Sequence, residues 1–195
     1  MGTWLFIGFL VLVAIYLISV YNKLIALRNR FKNGFAQIDV QLQRRHDLVP
    51  PLVESAKAYM SHEKETLTQV IEARKQAESA RQNVRGQPDN AGAMAALGKA
   101  ESLLAGSLAN LFAISEQYPD LKANQTIAQL MEELTTTENR IGFARQAFND
   151  LVMDYNTYRE QFPNNFIGGL FGSFKSASQL ELENPAARQA VKVSF

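Results

Sequence analysis

The sequence contains no cysteine, which excludes disulfide scaffolds, thiolate metal sites, cysteine nucleophiles and a lipidated-cysteine anchor. Only six prolines occur in 195 residues, too few to break the chain into many short elements. Neither sign of charge dominates: 20 Lys and Arg stand against 19 Asp and Glu, which argues against a broad nucleic-acid footprint. Stretches that combine β-branched and aromatic residues in alternation are scarce, so no sheet is expected. No charged side chain precedes Lys23.

That last absence marks a long apolar run, Thr3 to Val20, closed by Tyr21 and Asn22. A helix needs about 20 apolar residues to cross a hydrocarbon core of ~30 Å, and this run meets the lower part of that range. Trp4 at one end and Tyr21 with Lys23 at the other suit the two membrane interfaces, although Tyr16 lies deeper. A cleaved signal peptide would need a basic segment before the run and a small-x-small site after it, and neither is present. A retained single-pass anchor over residues 1–22 is therefore expected. Lys23, Arg28, Arg30 and Lys32 follow it and only Met1 and Gly2 precede it. The bulk of the chain is accordingly expected on the cytoplasmic side, with the N-terminus outside.

Beyond the anchor the composition favours helix, being rich in Ala, Leu, Gln and Glu. Leu24, Phe31 and Ile38 recur every seven residues without a proline until Pro50, so the anchor is predicted to run directly into a first soluble helix ending near Arg45. Pro50-Pro51 predicts a corner or kink, with a second helix from Pro51 to Val84. Arg85 to Asn90 is a Gly-, Pro-, Asp- and Asn-rich loop. A third helix is predicted over 91–117, where Gly92, Gly98, Ala105 and Gly106 would allow close helix approach. Ile127, Leu134, Ile141, Phe148, Tyr155 and Phe162 then hold six successive heptad positions, with Thr137 a polar member of the companion seam. Such persistence predicts a long helix in coiled-coil-like packing. The expected fold is all-α: the transmembrane helix continuing into an elongated antiparallel up-and-down bundle of about four long helices over 23–163. A Gly/Phe-rich segment and C-terminal tail follow over 164–195.

Chemistry-bearing groups are few. Arg44-Arg45-His46-Asp47 could dock a partner or anionic lipid, but helix-end charges and a cap need the same residue mix. His62-Glu63 and Glu65 hint at a metal, yet adjacent residues face different sides of a helix, unlike the i, i+4 spacing of zinc ligands. Gly-x-Ser-x-Gly and the Lys-Ser/Thr of a phosphate-binding loop are both missing. No cofactor, metal or enzymatic activity is expected, and a metal-dependent hydrolase is the weakest alternative. Phe166, Ile167, Leu170, Phe171 and Phe174 form a nearly uncharged glycine-rich stretch that could cover the bundle end, touch the bilayer or dock a partner.

Tyr21-Asn-Lys-Leu, the string from Leu27 through Gln41-Leu-Gln-Arg-Arg-His-Asp-Leu-Val-Pro50, Leu52-Val-Glu, His62-Glu-Lys-Glu-Thr-Leu and Ala73-Arg74 resemble the LemA family. So do Glu138-Asn-Arg-Ile, Ala147-Phe-Asn, Tyr155-Asn and Phe162-Pro163, which extends the likeness over nearly the whole chain. Pro51 departs from the pattern, where Asn is expected. The resemblance implies a bacterial membrane protein with an N-terminal anchor, a bundle of about four long helices and no established enzymatic activity; a relative associated with magnetosome membranes suggests a role in membrane organisation. The functional expectation is a membrane scaffold at the bacterial inner membrane that self-associates or recruits a membrane or cytoplasmic protein. A lipid-surface or membrane-shaping module using the Phe/Gly segment is the alternative.

Overall fold

The computed structural model describes residues 1–166 and 174–181. Among these, all regular structure is helical. The elements are α1 (Gly2–Lys57), α2 (Lys64–Val84), α3 (Ala91–Ser115), the short α4 (Pro119–Ala123) and α5 (Gln125–Glu160).

Helix α1 is one unbroken element from the apolar run into the helical body. Its first part carries apolar side chains out to the surface, including Trp4, Leu5, Phe6 and Phe9. Among the described residues it is the one helix long and apolar enough to cross a membrane. From Val20 onward the pattern changes: Val20, Leu24, Leu27, Phe31, Phe35, Ile38 and Leu42 are all buried. Their three- and four-residue spacing puts them on one helical stripe. That stripe meets α5, where Phe31 packs against Tyr155 with ring centroids 5.1 Å apart. Phe35 meets Phe148 edge-on at 5.8 Å. Gly34 lets the two helices approach closely, since a Cβ there would sit 2.8 Å from Leu151.

Of the corner or kink predicted at Pro50-Pro51, the corner is corrected, as is the helix end near Arg45: α1 passes through both prolines and ends at Lys57. A proline inside a helix leaves the carbonyl four residues back without its amide partner. For Pro50 that carbonyl belongs to His46, and Arg74 of α2 donates to it from Nε at 2.8 Å. A bare buried carbonyl would cost about 1–3 kcal/mol, so the arginine offsets much of the proline's penalty. Glu78 holds the same guanidinium at 3.0 Å. The chain turns instead at residues 58–63, and α2 begins at Lys64 rather than Pro51.

The predicted loop after Val84 is present, with Gly86 in the left-handed region at φ 91°, where other residues are strained. Asp89 of this loop ties it to α1 through Arg28 at 2.7 Å and Lys32 at 3.5 Å. Burial raises the Asp89 carboxyl, but the hydrogen bond from Arg28 and the two nearby cations outweigh it and leave it below the ordinary carboxylate value. Asn90 then caps α3, its side chain accepting from the Ala93 amide at 3.1 Å. Asn124 caps α5 in the same way, through Ile127.

The expectation that small residues on α3 admit another helix is also corrected. Gly106 has open space around it, and Gly98 is approached by the backbone carbonyl of Glu181, 2.3 Å from where a Cβ would lie. Residues 174–181 thus form an extended strap laid over α5 and α3. Its inward side chains, Phe174, Ala177 and Leu180, are buried.

Candidate functional site: a buried polar layer and the cleft beside it

Two apolar clusters fill the interior. One gathers Val20 to Leu42 with Val84, Met94, Leu97 and the Ile141–Tyr155 part of α5. The other gathers Val49 to Met60, Leu67 to Ala77, Leu104 to Leu111, Leu121, Ile127 and Leu134. Between them every long helix places polar residues on its inward seam. Arg45 and His46 lie between Leu42 and Val49, Glu101 between Leu97 and Leu104, Arg81 between Ala77 and Val84, and Thr137 between Leu134 and Ile141. Each is under a tenth exposed.

Glu101 is the hub. One carboxylate oxygen accepts from His46 Nε2 at 2.9 Å and the other from the Arg45 guanidinium. Arg45 also reaches Glu138 at the edge of the layer. Nearby, Arg81 donates to Asp39 at 2.7 Å and to Gln43. Burial pushes the Glu101 carboxyl upward, but the hydrogen bond from His46 and the charge of Arg45 prevail and hold it below its ordinary value. His46 Nδ1 and Arg45 Nε, both buried, find no partner among the described residues.

These positions correct both alternatives, surface contact and helix-end charge, for Arg45 and His46, since α1 continues to Lys57. Arg45 and His46 are at most 1% exposed and face acidic groups inside the protein, so neither meets a partner or lipid at the surface. Arg44 alone stays outside, about half exposed and paired with Glu133 at 3.3 Å. Of the alternatives for Phe174, lipid or partner contact is corrected in favour of packing on the body: at 3% exposed it meets Tyr21 edge-on with centroids 5.4 Å apart. Phe166 is 68% exposed. Ile167, Leu170 and Phe171 lie outside the described residues. Trp4 is exposed on the apolar part of α1, and Lys23 is exposed just past it. His62 sits exposed in the 58–63 turn, and among the described residues no group of three or more His, Asp or Glu is placed to hold a metal ion.

Sequence reasoning noted Thr137 on its seam but missed Glu101, Arg81 and the inward face of Arg45. The signal was available: each interrupts an apolar series at i+3 or i+4 from its neighbours. Beside the layer a cleft of about 250 Å³ opens between α3 and α5, walled by Leu108, Ala109, Leu134 and Asn139, with Arg45 and Glu138 contributing its charged part. Nothing in these groups amounts to a nucleophile with its base. The layer's chemistry is that of an interlocking device: each charge has its counter-charge only when the helices are in this register.

The LemA family profile matches residues 34–195. The chain is 28% identical over 182 residues to Magnetosome protein MamQ 2 of Paramagnetospirillum magneticum, covering 85% of this chain and 66% of that protein. It is 27% identical to Magnetosome protein MamQ of Magnetospirillum gryphiswaldense, with the same shares covered. Protein LemA of Metamycoplasma hominis is 26% identical over 172 residues, or 88% of this chain and 70% of that one. The chain thus spans just under two thirds of the magnetosome proteins it matches.

Proposed function

The chain belongs to the LemA family, and from that premise we propose that it is a non-enzymatic, single-pass scaffold of the bacterial inner membrane. In this reading an elongated antiparallel bundle stands on the cytoplasmic side at a fixed height and self-associates or recruits another protein. The observation that carries it is the continuity of α1, whose apolar run passes without a break into the buried stripe at Val20 and Leu24. A continuous helix transmits orientation, whereas a linker would not. Membrane organisation, suggested by the magnetosome relatives, belongs to the same proposal. Crosslinking in native membranes is expected to give discrete higher species, either of this chain or with one partner. Monomer alone across a wide range of expression levels would overturn the scaffold reading.

A second reading, lipid contact by the end of α5, is favoured by a separate observation. Tyr16 donates from its hydroxyl to Asn164 Oδ1 at 2.9 Å, and Asn164 in turn donates to the Tyr158 carbonyl at 3.0 Å. Tyr16 lies seven residues before Lys23, about 10 Å along the helix axis, and so within the apolar run. The turn after α5 therefore reaches into the depth of that run. Phe162 and Phe166 flank Asn164 there, exposed and edge-to-face at 5.9 Å. An exposed aromatic pair at that depth suits the interfacial belt. In a Trp4→Phe background, Phe166→Trp should emit at shorter wavelength and be quenched by brominated lipid in vesicles. Emission like that of water-exposed tryptophan would remove this reading.

A further inference from the structure

Helix α5 is covered on two sides. On one it packs along α1. On another lies the strap, held by its backbone: Asn156 accepts from the Ala177 amide at 3.0 Å and donates to the Ala177 carbonyl at 2.8 Å. Asn149 treats Leu180 alike, at 2.9 Å and 3.3 Å. The side of the α1–α5 pair turned away from α2 and the strap has no cover among the described residues.

Val40 and Phe143 mark that face. Each sits two residues from a buried position of its helix, Ile38 and Ile141, and so about 200° around the axis. They are 60% and 75% exposed, respectively. Contacts across the seam put them level: Phe35 meets Phe148 and Arg45 meets Glu138, so Val40, midway on α1, lies beside Phe143, midway on α5. The exposed pair of Arg44 and Glu133 spans the same seam. Around this centre the outward positions Asn33, Gln37 and Ala147 are exposed and uncharged.

Charges bound the neutral centre in a matched order. Toward the apolar run α1 carries Arg30 and α5 carries Asp154, level with each other because Phe31 meets Tyr155. Toward the other end α5 carries Arg140, and α1 carries Asp47 about one turn further on. All four are exposed, and none has an ion pair among the described residues. Each end thus offers one unpaired charge of each sign, on different helices.

We propose that this face binds a second copy of the chain about a twofold axis running along α1; the inference rests on the self-association reading above and gives it a surface. Such an axis lays α1 of one copy on α5 of the other. Val40 then meets the partner's Phe143, Arg30 the partner's Asp154 and Arg140 the partner's Asp47, and every contact occurs twice. Arg44 stands near the partner's Arg140, but Glu133 already neutralises it. A shared bilayer enforces this axis. Two copies anchored through α1 point the same way, so a twofold along the membrane normal joins equal faces at equal heights. A different protein would need the same order of charges at the same heights.

The chain has no native cysteine, so single introduced cysteines report their positions without background. Gln37→Cys in one full-length copy and Ala147→Cys in a differently tagged one leave Val40 and Phe143 intact. Mild oxidation of membranes from cells making both should give the mixed disulfide on the order of ten-fold above either like-with-like product, because the bond needs Cβ atoms about 4 Å apart. Asp154→Arg should weaken dimer formation about ten-fold by setting like charges together, and adding Arg30→Asp to it should restore the dimer. A like-with-like disulfide as the main product would overturn the twofold arrangement. Discrete oligomers with an amine-reactive crosslinker but no mixed disulfide would overturn this face and leave self-association standing. Monomer in both experiments would overturn the two together.

Discussion

Glu101→Gln should destabilise the folded chain by about 3–5 kcal/mol, the range for breaking one side of a buried ion pair. The substitution keeps the shape of the side chain and removes its charge. Arg45, at 1% exposed, is then left with only Glu138 as counter-charge, whose side chain is 46% exposed. Urea titration of the full-length protein in micelles, followed by helical circular dichroism, measures the loss. A change under about 1 kcal/mol, the size expected of a surface pair, would show that the layer contributes little. Replacing Arg45, His46 and Glu101 together with apolar residues of similar volume should restore most of the stability. That pair of results would separate the cost of stranding a charge from the net worth of the network.

The same carboxylate makes stability depend on pH in a stated direction. Its folded value lies below the ordinary 4.5, so the unfolded chain takes up the proton first as pH falls. The contribution of Glu101 is fully present above the ordinary carboxylate range and is lost as pH drops through the depressed folded value. Glu101→Gln should therefore be less acid-sensitive than the parent over that window, although less stable above it.

Much of the fold was legible in local pattern. The apolar run before Lys23, the seven-residue stripe of α1, the loop at 85–90 and the long seam of α5 all show in spacing alone. What escaped depends on partners far apart in sequence. Nothing beside Pro50 indicates that Arg74, on another helix, receives the carbonyl the proline frees. Nothing beside Arg45 indicates that Glu101 and Glu138 neutralise it, so basic residues near a proline read as a surface cluster. Covering the bundle, touching lipid and docking a partner stayed open alternatives for Phe174 because its cover, Tyr21, is set by tertiary packing. The polar layer was half legible: a charged residue between two inward leucines is a visible interruption, but one interruption alone does not show that other helices carry matching ones.

The layer also separates two apolar clusters, and their independence can be measured through Phe148. This side chain is fully buried in the cluster nearer the apolar run and meets Phe35 at 5.8 Å and Phe31 at 6.5 Å. Phe148→Ala should cost about 3–5 kcal/mol through lost burial and the cavity left behind. If the polar layer joins the two clusters into one cooperative unit, amide exchange should quicken by a similar factor throughout α1 to α5. If the clusters open separately, protection should fall in the 141–160 part of α5 and in the strap held by Asn149 and Asn156, but stay near parent levels in Leu67–Ala77 and Leu104–Leu111. We expect the second pattern. Cooperativity travels through tight apolar packing, and the layer replaces it with a few hydrogen bonds whose acceptors Asp39 and Glu138 lie nearer the surface of the body. Uniform loss of protection would refute this division. A two-part body has a consequence for the tethered reading: the half continuous with the apolar run can hold its orientation while the far half and its cleft open and close.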